Sequence, residues 1–291
     1  MPSPKIPVPF SRVAIIGTGL IGGSFALALR KHFPDVTLIG FDRPQVAQRA
    51  LARGAVQEIA SDVTSAVRDA DLVYIALPIA GILDVLPAVA VVAKPEALVT
   101  DAGSTKVVIC REGAKHFTRG ARFLGAHPIA GKEISGIANA GENLFRGSRY
   151  ALIANESDSD PRIAAFAAVL LAIGATPVWC DAETHDWAVG VASHLPQLIA
   201  VALASVVRDE TDETGLPLAL AGPGLRDMLR LAGSPYGLWR DIAHTNSGNI
   251  SRALDRLTQA VEHLRTNLTS KELEREFTAA NEVYKNLPKR E

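Results

Sequence analysis

Two cysteines in 291 residues, Cys110 and Cys180, are too few and too far apart for a disulfide framework or a cysteine-based metal site. They read as reduced thiols, and no metal is expected. Charge of one sign is not in excess. Lys and Arg number 30 against 31 Asp and Glu, a formal net charge of -1, so nothing global favours nucleic acid or an anionic membrane as partner. No apolar run reaches the length of a membrane span. The N-terminal stretch, punctuated by Pro2, Pro4, Pro7 and Pro9, lacks the apolar core of a secretory signal. There is no internal repeat and no low-complexity tract, and residues 182–266 contain no lysine. These absences predict a cytoplasmic protein with neither nucleic acid nor membrane as partner.

What is present is apolar and ordered. At 48% hydrophobic, the chain can bury a sizeable core, as one large domain or two ordinary ones. The most informative stretch is Val13-Ala14-Ile15-Ile16 running into Gly17-Thr18-Gly19-Leu20-Ile21-Gly22 and then into Phe25–Leu29. Gly17, Gly19 and Gly22 are spaced G-x-G-x-x-G between a strand and a helix. Such glycines turn the chain, let a pyrophosphate approach the backbone, and let helix and strand pack closely. The helix N-terminus offers free N–H groups and a positive dipole end. About twenty residues later a second strand, Leu38–Phe41, ends in Asp42, where a ribose diol is read. An acid there repels a 2′-phosphate and favours NAD. Arg43 beside it keeps NADP open. The cofactor candidates are Gly17, Thr18, Gly19, Leu20, Ile21, Gly22, Asp42 and Arg43, joined by Leu77 and Pro78 at the end of the strand 71–78.

Strands and helices go on alternating: helix 79–92, strand 97–100, helix 104–117, strand 121–126, then strands near 150–153 and 176–179 around helix 161–173. That order predicts a Rossmann-type, doubly wound parallel α/β sheet over residues 1–181. After Asp181 strand signals vanish, and residues 182–291 are expected to be all helical. Within 188–204 the only polar side chains are Ser193, His194 and Gln197, so this helix is expected to be buried on all sides and kinked at Pro196. A unit this small does that most readily by interleaving helices with a second copy. Ile250, Leu254, Leu257, Val261, Leu264 and Leu268 mark an amphipathic helix, and Thr269 with Glu272 a capping box before a final helix.

Two polar clusters fall at strand ends, where ligands of such sheets sit. Asp101-Ala102-Gly103-Ser104-Thr105-Lys106 follows the strand 97–100, and Ser104 alone would read as a helix cap. Gly125-Ala126-His127-Pro128-Ile129-Ala130-Gly131-Lys132-Glu133 puts His127 at the end of strand 121–126. Imidazole is the side chain best suited to accept a proton near neutral pH.

In these strings the chain resembles the prephenate and arogenate dehydrogenases of tyrosine biosynthesis, including the cyclohexadienyl dehydrogenases. The resemblance rests on Gly17-x-Gly19-x-x-Gly22-Gly23-Ser24, Asp101-x-Gly103-Ser104-x-Lys106, His127-Pro128-x-Ala130-Gly131, Ser193-His194-Leu195-Pro196 and Arg226-Asp227-x-x-Arg230-x-Ala232, in this order from about Arg12 to Leu268. It implies a nucleotide-binding domain followed by a helical dimerisation domain, and hence a homodimer. It also implies NAD(P)-dependent oxidation of a cyclohexadienol at its 4-hydroxyl with loss of CO₂. His127 would accept the hydroxyl proton and Ser104 would hydrogen-bond the same hydroxyl. Arg230 would hold the ring carboxylate. Gln197, His194, Arg226, Trp239 and Glu133 would complete the substrate site, and Asp101 with Ser104 would face the cofactor.

Two positions depart from the family pattern. Gln197 stands where many prephenate-using relatives carry His, which leaves arogenate open beside prephenate. Leu229 replaces the threonine common before the arginine. The chain ends soon after the helical unit, so any tyrosine feedback would have to act at the active site. A 3-hydroxyacid dehydrogenase is a competing reading, weakened by the missing lysine in 182–266. A non-catalytic NAD(H) sensor would not need Ser104, His127 and Arg230 together.

Overall fold

The computed structural model describes residues 10–131 and 134–287. Eight strands form one sheet: β1 (Arg12–Ile16), β2 (Thr37–Phe41), β3 (Glu58–Ile59), β4 (Leu72–Ile75), β5 (Leu98–Asp101), β6 (Arg122–Ile129), β7 (Arg149–Ile153) and β8 (Thr176–Cys180), in the order β3-β2-β1-β4-β5-β6-β7-β8. All neighbours are parallel except β6 and β7, which run antiparallel. The fold is thus a Rossmann-type sheet followed by helices, with one antiparallel pair where an all-parallel sheet was expected. The short β3 and the helix α3 (Val63–Val67) carry too little pattern to be read from sequence.

The other helices of this part are α1 (Leu20–His32), α2 (Pro44–Ala52), α4 (Ile79–Val92), α5 (Val107–His116) and α6 (Pro161–Ala172). They cover both faces. Side chains alternate along a strand, so Val13 and Ile15 enter one apolar layer with Phe25 and Phe166. Ala14 and Ile16 enter the other with Ile79, Ile82 and Ile109. Burial on both faces is why β1 and β4 read as continuous apolar runs.

The remaining elements are helical: α7 (Ala182–Val189), a π turn (Gly190–His194), α8 (Leu195–Glu210), α9 (Leu216–Ala219), α10 (Pro223–Leu229), α11 (Tyr236–Thr245), α12 (Ser247–Thr266) and α13 (Lys271–Lys285). Pro196 lies in the first turn of α8, where its missing N–H costs little. The expected kink is taken up by the π turn just before it. The continuous helix Ala182–Glu210 is, by length and composition, long and apolar enough to cross a membrane. Within a single chain it is not buried on all sides: Trp187, Val191, Val201 and Val206 are exposed. The cap of α13 is Ser270, whose Oγ accepts from Glu272 N at 3.2 Å, not a box on Thr269.

The helical part docks on the sheet unit around α4 and α5. Ile242 and Ile250 join the apolar layer of α4. Asp241 Oδ2 accepts from Ala80 N at 3.2 Å, and Thr245 Oγ1 meets Thr105 Oγ1 at 2.8 Å. Negative side chains at two helix N-termini, Asp241 at α4 and Asp186 at α5, suit the helix dipoles and bring this part to the carboxyl edge of the sheet.

Candidate active site

The three glycines of the turn meet different surroundings. Gly17 has φ +92°, and a Cβ there would lie 2.4 Å from the Ala76 carbonyl oxygen. A Cβ on Gly22 would lie 1.9 Å from the Gly17 carbonyl oxygen. Gly19 differs: a Cβ would meet nothing within 4 Å. No side chain caps α1, so its first N–H groups point into that open ground. Asp42 follows β2 directly and accepts from Thr18 N at 2.7 Å and from Arg43 N at 2.7 Å, which ties its carboxylate to the glycine turn. Thr18 is buried and Arg43 is exposed. Leu77 packs beside Gly17, and Pro78 caps α4. An open, uncapped helix N-terminus beside an acid fits a dinucleotide: Gly17 to Gly22 for the pyrophosphate, Asp42 for a ribose.

The Asp101 carboxylate, expected to face the cofactor, is engaged within the protein. The residue is fully buried, and its carboxylate pairs with Lys106 Nζ. Oδ2 also accepts from Gly103 N at 2.8 Å, and Oδ1 from Ala126 N at 3.1 Å. Lys106 Nζ in turn donates to the Ala126 carbonyl at 2.8 Å. The pair bolts the loop after β5 to β6 immediately before His127. Sequence spacing showed an acid at a strand end but not that Lys106 folds back onto it. The loop runs on to Val107 before α5 begins, and the helix is capped from elsewhere: Lys106 N donates to Asp186 Oδ1 at 2.6 Å and Val107 N to Asp186 Oδ2 at 2.9 Å. Ser104 is therefore not the cap. Its half-buried side chain has no hydrogen-bond partner among the described residues and is available to a ligand.

His127 lies within β6, two residues before its end at Ile129. β5 accompanies β6 only as far as Leu124, and from Gly125 onward the antiparallel partner is β7, with His127 opposite Ala151. The imidazole thus stands beyond the carboxyl end of β5 on a paired backbone. Its Nδ1 is 3.0 Å from His185 Nε2, and His185 Nδ1 is 2.8 Å from Asp186 Oδ1. Burial, then the neighbouring His185, Lys106 and His194, lower the His127 pKa well below the ordinary 6.5. The ring is neutral at pH 7 and fit to accept a proton.

His194 and Gln197 are buried but do not face each other. His194 Nδ1 meets Asn246 Nδ2 at 3.1 Å, and that amide also donates to the Asp186 carbonyl at 2.7 Å. Burial pulls the His194 pKa down to about 4, with Asp186 opposing and His185 adding to the shift. Unfolded, the ring binds a proton near 6.5; folded, only near 4. Its contribution to stability is complete above pH 6.5 and is lost as pH falls toward 4. The difference amounts to roughly 3 kcal/mol. Urea unfolding at pH 7 and 4.5 should show this loss, and His194→Gln should flatten it.

Gln197 Nε2 donates to the Leu231 carbonyl at 2.8 Å, holding the residue that follows Arg230. Arg230 ends α10 and is exposed, as is Arg226 one turn earlier. Trp239 packs edge-on to His194, centroids 5.7 Å apart. Its indole N–H is buried with no partner among the described residues. Glu133 lies outside the described residues. Sequence reasoning missed Lys106, His185, Asp186 and Asn246; the adjacent His185-Asp186 pair at the head of the helical part was the available signal.

A cradle for a dinucleotide beside a neutral imidazole, closed by helices from the second half of the chain, defines a two-part nucleotide-dependent dehydrogenase. Residues 25–178 match the family model for the prephenate dehydrogenase nucleotide-binding domain, and residues 181–280 that for the prephenate dehydrogenase dimerization domain. The chain belongs to the prephenate dehydrogenase family. It is 31% identical to the prephenate dehydrogenase of Bacillus subtilis, over 96% of this chain and 76% of that protein. It is also 31% identical to the cyclohexadienyl dehydrogenase of Zymomonas mobilis, over 90% of each. Among solved structures it resembles prephenate dehydrogenase from Aquifex aeolicus in complex with hydroxyphenyl propionate and NAD+. There the TM-score is 0.84 and the identity 27%, over 94% of this chain and 96% of that one.

Proposed function

We propose that this chain is an oxidoreductase that catalyses the NAD-dependent oxidative decarboxylation of prephenate, arogenate or both, in tyrosine biosynthesis. The observation that carries it is the neutral His127 imidazole on a rigid β6, at the carboxyl edge that also holds the open Gly19 cradle. His127 accepts the proton of the ring 4-hydroxyl, and Ser104 hydrogen-bonds that hydroxyl. NAD, held by Gly17 to Gly22 and Asp42, supplies the hydride acceptor. Loss of CO₂ needs no dedicated acid, because it completes an aromatic ring. Arg230 pairs its guanidinium fork with the ring carboxylate. The unpartnered Trp239 indole N–H, with His194 and Gln197 behind it, lines the substrate side. Arg226 and Glu133 stay assigned to the substrate side, and Arg43, Leu77 and Pro78 to the cofactor side.

Residues 1–181 form the nucleotide-binding unit and 182–291 the substrate and dimer unit. The exposed apolar residues Val201 and Val206, Leu216, Leu218 and Leu220, and Phe277 support a homodimer through the helical unit. The unpaired Cys110 and Cys180 accord with a cytoplasmic enzyme.

Steady-state kinetics with both substrates crossed with NAD and NADP test this. Reduction of NAD with prephenate or arogenate is expected, and failure with both substrates on both cofactors would remove the proposal. Gln197 donates one amide N–H to the Leu231 carbonyl, which leaves its other N–H and its carbonyl oxygen for a ligand, a set that can meet either a keto acid or an amino acid, so turnover of both prephenate and arogenate is expected.

A further inference from the structure

We propose that His185 and Asp186 are positioning residues that set which nitrogen of His127 carries the proton. This rests on His127 being the proton acceptor. A neutral imidazole accepts on one nitrogen only, and the partner of the other nitrogen decides which. His127 Nδ1 faces His185 Nε2 at 3.0 Å, so one of the two must donate and the other accept. The far end of the chain resolves it. Asp186 already accepts backbone N–H groups on both oxygens, Lys106 N on Oδ1 at 2.6 Å and Val107 N on Oδ2 at 2.9 Å. An oxygen so engaged can only accept from His185 Nδ1, 2.8 Å away, so that nitrogen carries the His185 proton. With His185 neutral, as the proposal requires, its Nε2 has a lone pair and accepts from His127 Nδ1–H. The Nε2 of His127 is left bare, as a base facing a ring hydroxyl must be.

Burial makes the arrangement strict. Asp186 is 1% exposed and His185 4%, so water does not offer alternative partners. Among the described residues, the other charged and titratable groups around His127 are occupied: Lys106 Nζ by Asp101 and the Ala126 carbonyl, and His194 Nδ1 by Asn246. His185 and Asp186 sit on α7, in the helical part, whereas His127 belongs to the sheet. The seating of α7 against α5 therefore orients a base that the sheet alone would leave free to carry its proton on either nitrogen.

The test is imidazole ¹⁵N NMR on the full-length protein at pH 7.5, beside steady-state kinetics, for wild type, His185→Leu and His185→Gln. The wild type should show His127 protonated on Nδ1. His185→Leu removes the acceptor: His127 should move toward the Nε2–H form, and kcat should fall about 10- to 100-fold with KM for the ring substrate little changed. His185→Gln keeps a side-chain carbonyl and should restore part of both. Wild-type His127 protonated on Nε2 overturns the proposal. So does a His185→Leu protein that keeps its kcat, or one that loses kcat with the Nδ1 proton still in place, since that loss would be structural. None of these outcomes bears on whether His127 is the acceptor, which His127→Asn decides separately.

Discussion

His127→Asn lowers kcat by about 10²–10⁴-fold, the usual worth of a placed general base, and leaves NAD affinity unchanged. Asn can still hydrogen-bond a ring hydroxyl but cannot take its proton near neutral pH. The cofactor should not notice, because the glycine turn and Asp42 lie on β1 and β2 while His127 is on β6. The pH profile gives a second signature. The pKa of His127 is held well below 6.5 by burial and by His185, Lys106 and His194, so activity should stay high through pH 6.5 and fall only at lower pH, as the ring protonates. In the variant that limb should vanish. Stopped-flow or steady-state NADH absorbance, with cofactor binding by fluorescence quenching, checks both. A variant with full turnover would remove His127 from the mechanism.

Lys106→Met destabilises the protein by about 3–5 kcal/mol, the usual cost of stranding one partner of a buried ion pair. Lys106 and Asp101 are both fully buried, and Asp101 keeps only the N–H groups of Gly103 and Ala126 when the lysine is lost. The melting temperature should drop on the order of 10 °C. Because the pair also holds Ala126, the neighbour of His127, turnover should fall at temperatures where the variant is still folded. The double variant Asp101→Asn, Lys106→Met removes both charges and should lose less stability than Lys106→Met alone, a coupling that a double-mutant cycle reads directly. A double variant whose loss equals the sum of the losses of Asp101→Asn and Lys106→Met would mean that the pair is not electrostatically coupled.

These two residues differ in how legible they were. His127 stood out because a strand, two glycines and a proline bracket it in sequence. In sequence Lys106 is only one residue of a polar loop, and its partner Asp101 reads as a cofactor contact. An acid at the end of a strand looks the same in one dimension whether it faces a ribose or a lysine. The glycine turn was legible in full, because its constraints are local: a positive φ at Gly17 and a contact between Gly22 and Gly17, five residues apart. The capping of α5 was not. Ser104 is near in sequence, but Asp186, some eighty residues away, takes the two helix N–H groups.

By itself the sequence determined the order of strands and helices, the glycine turn, the place where the sheet gives way to helices, and an imidazole near the carboxyl edge of the sheet. Each of these depends on residues within a few positions of one another. Only the tertiary structure decided that β6 runs on past β5 against an antiparallel β7, that Asp101 is locked away by Lys106, and that His185 and Asp186 reach His127 and α5 from the helical part. It also decided that the apolar helix Ala182–Glu210 keeps an exposed face. Partners far apart in the chain are chosen by how surfaces fit and which buried polar atoms must be satisfied. Local pattern states a residue's chemistry, whereas burial beside a particular neighbour decides what that chemistry does.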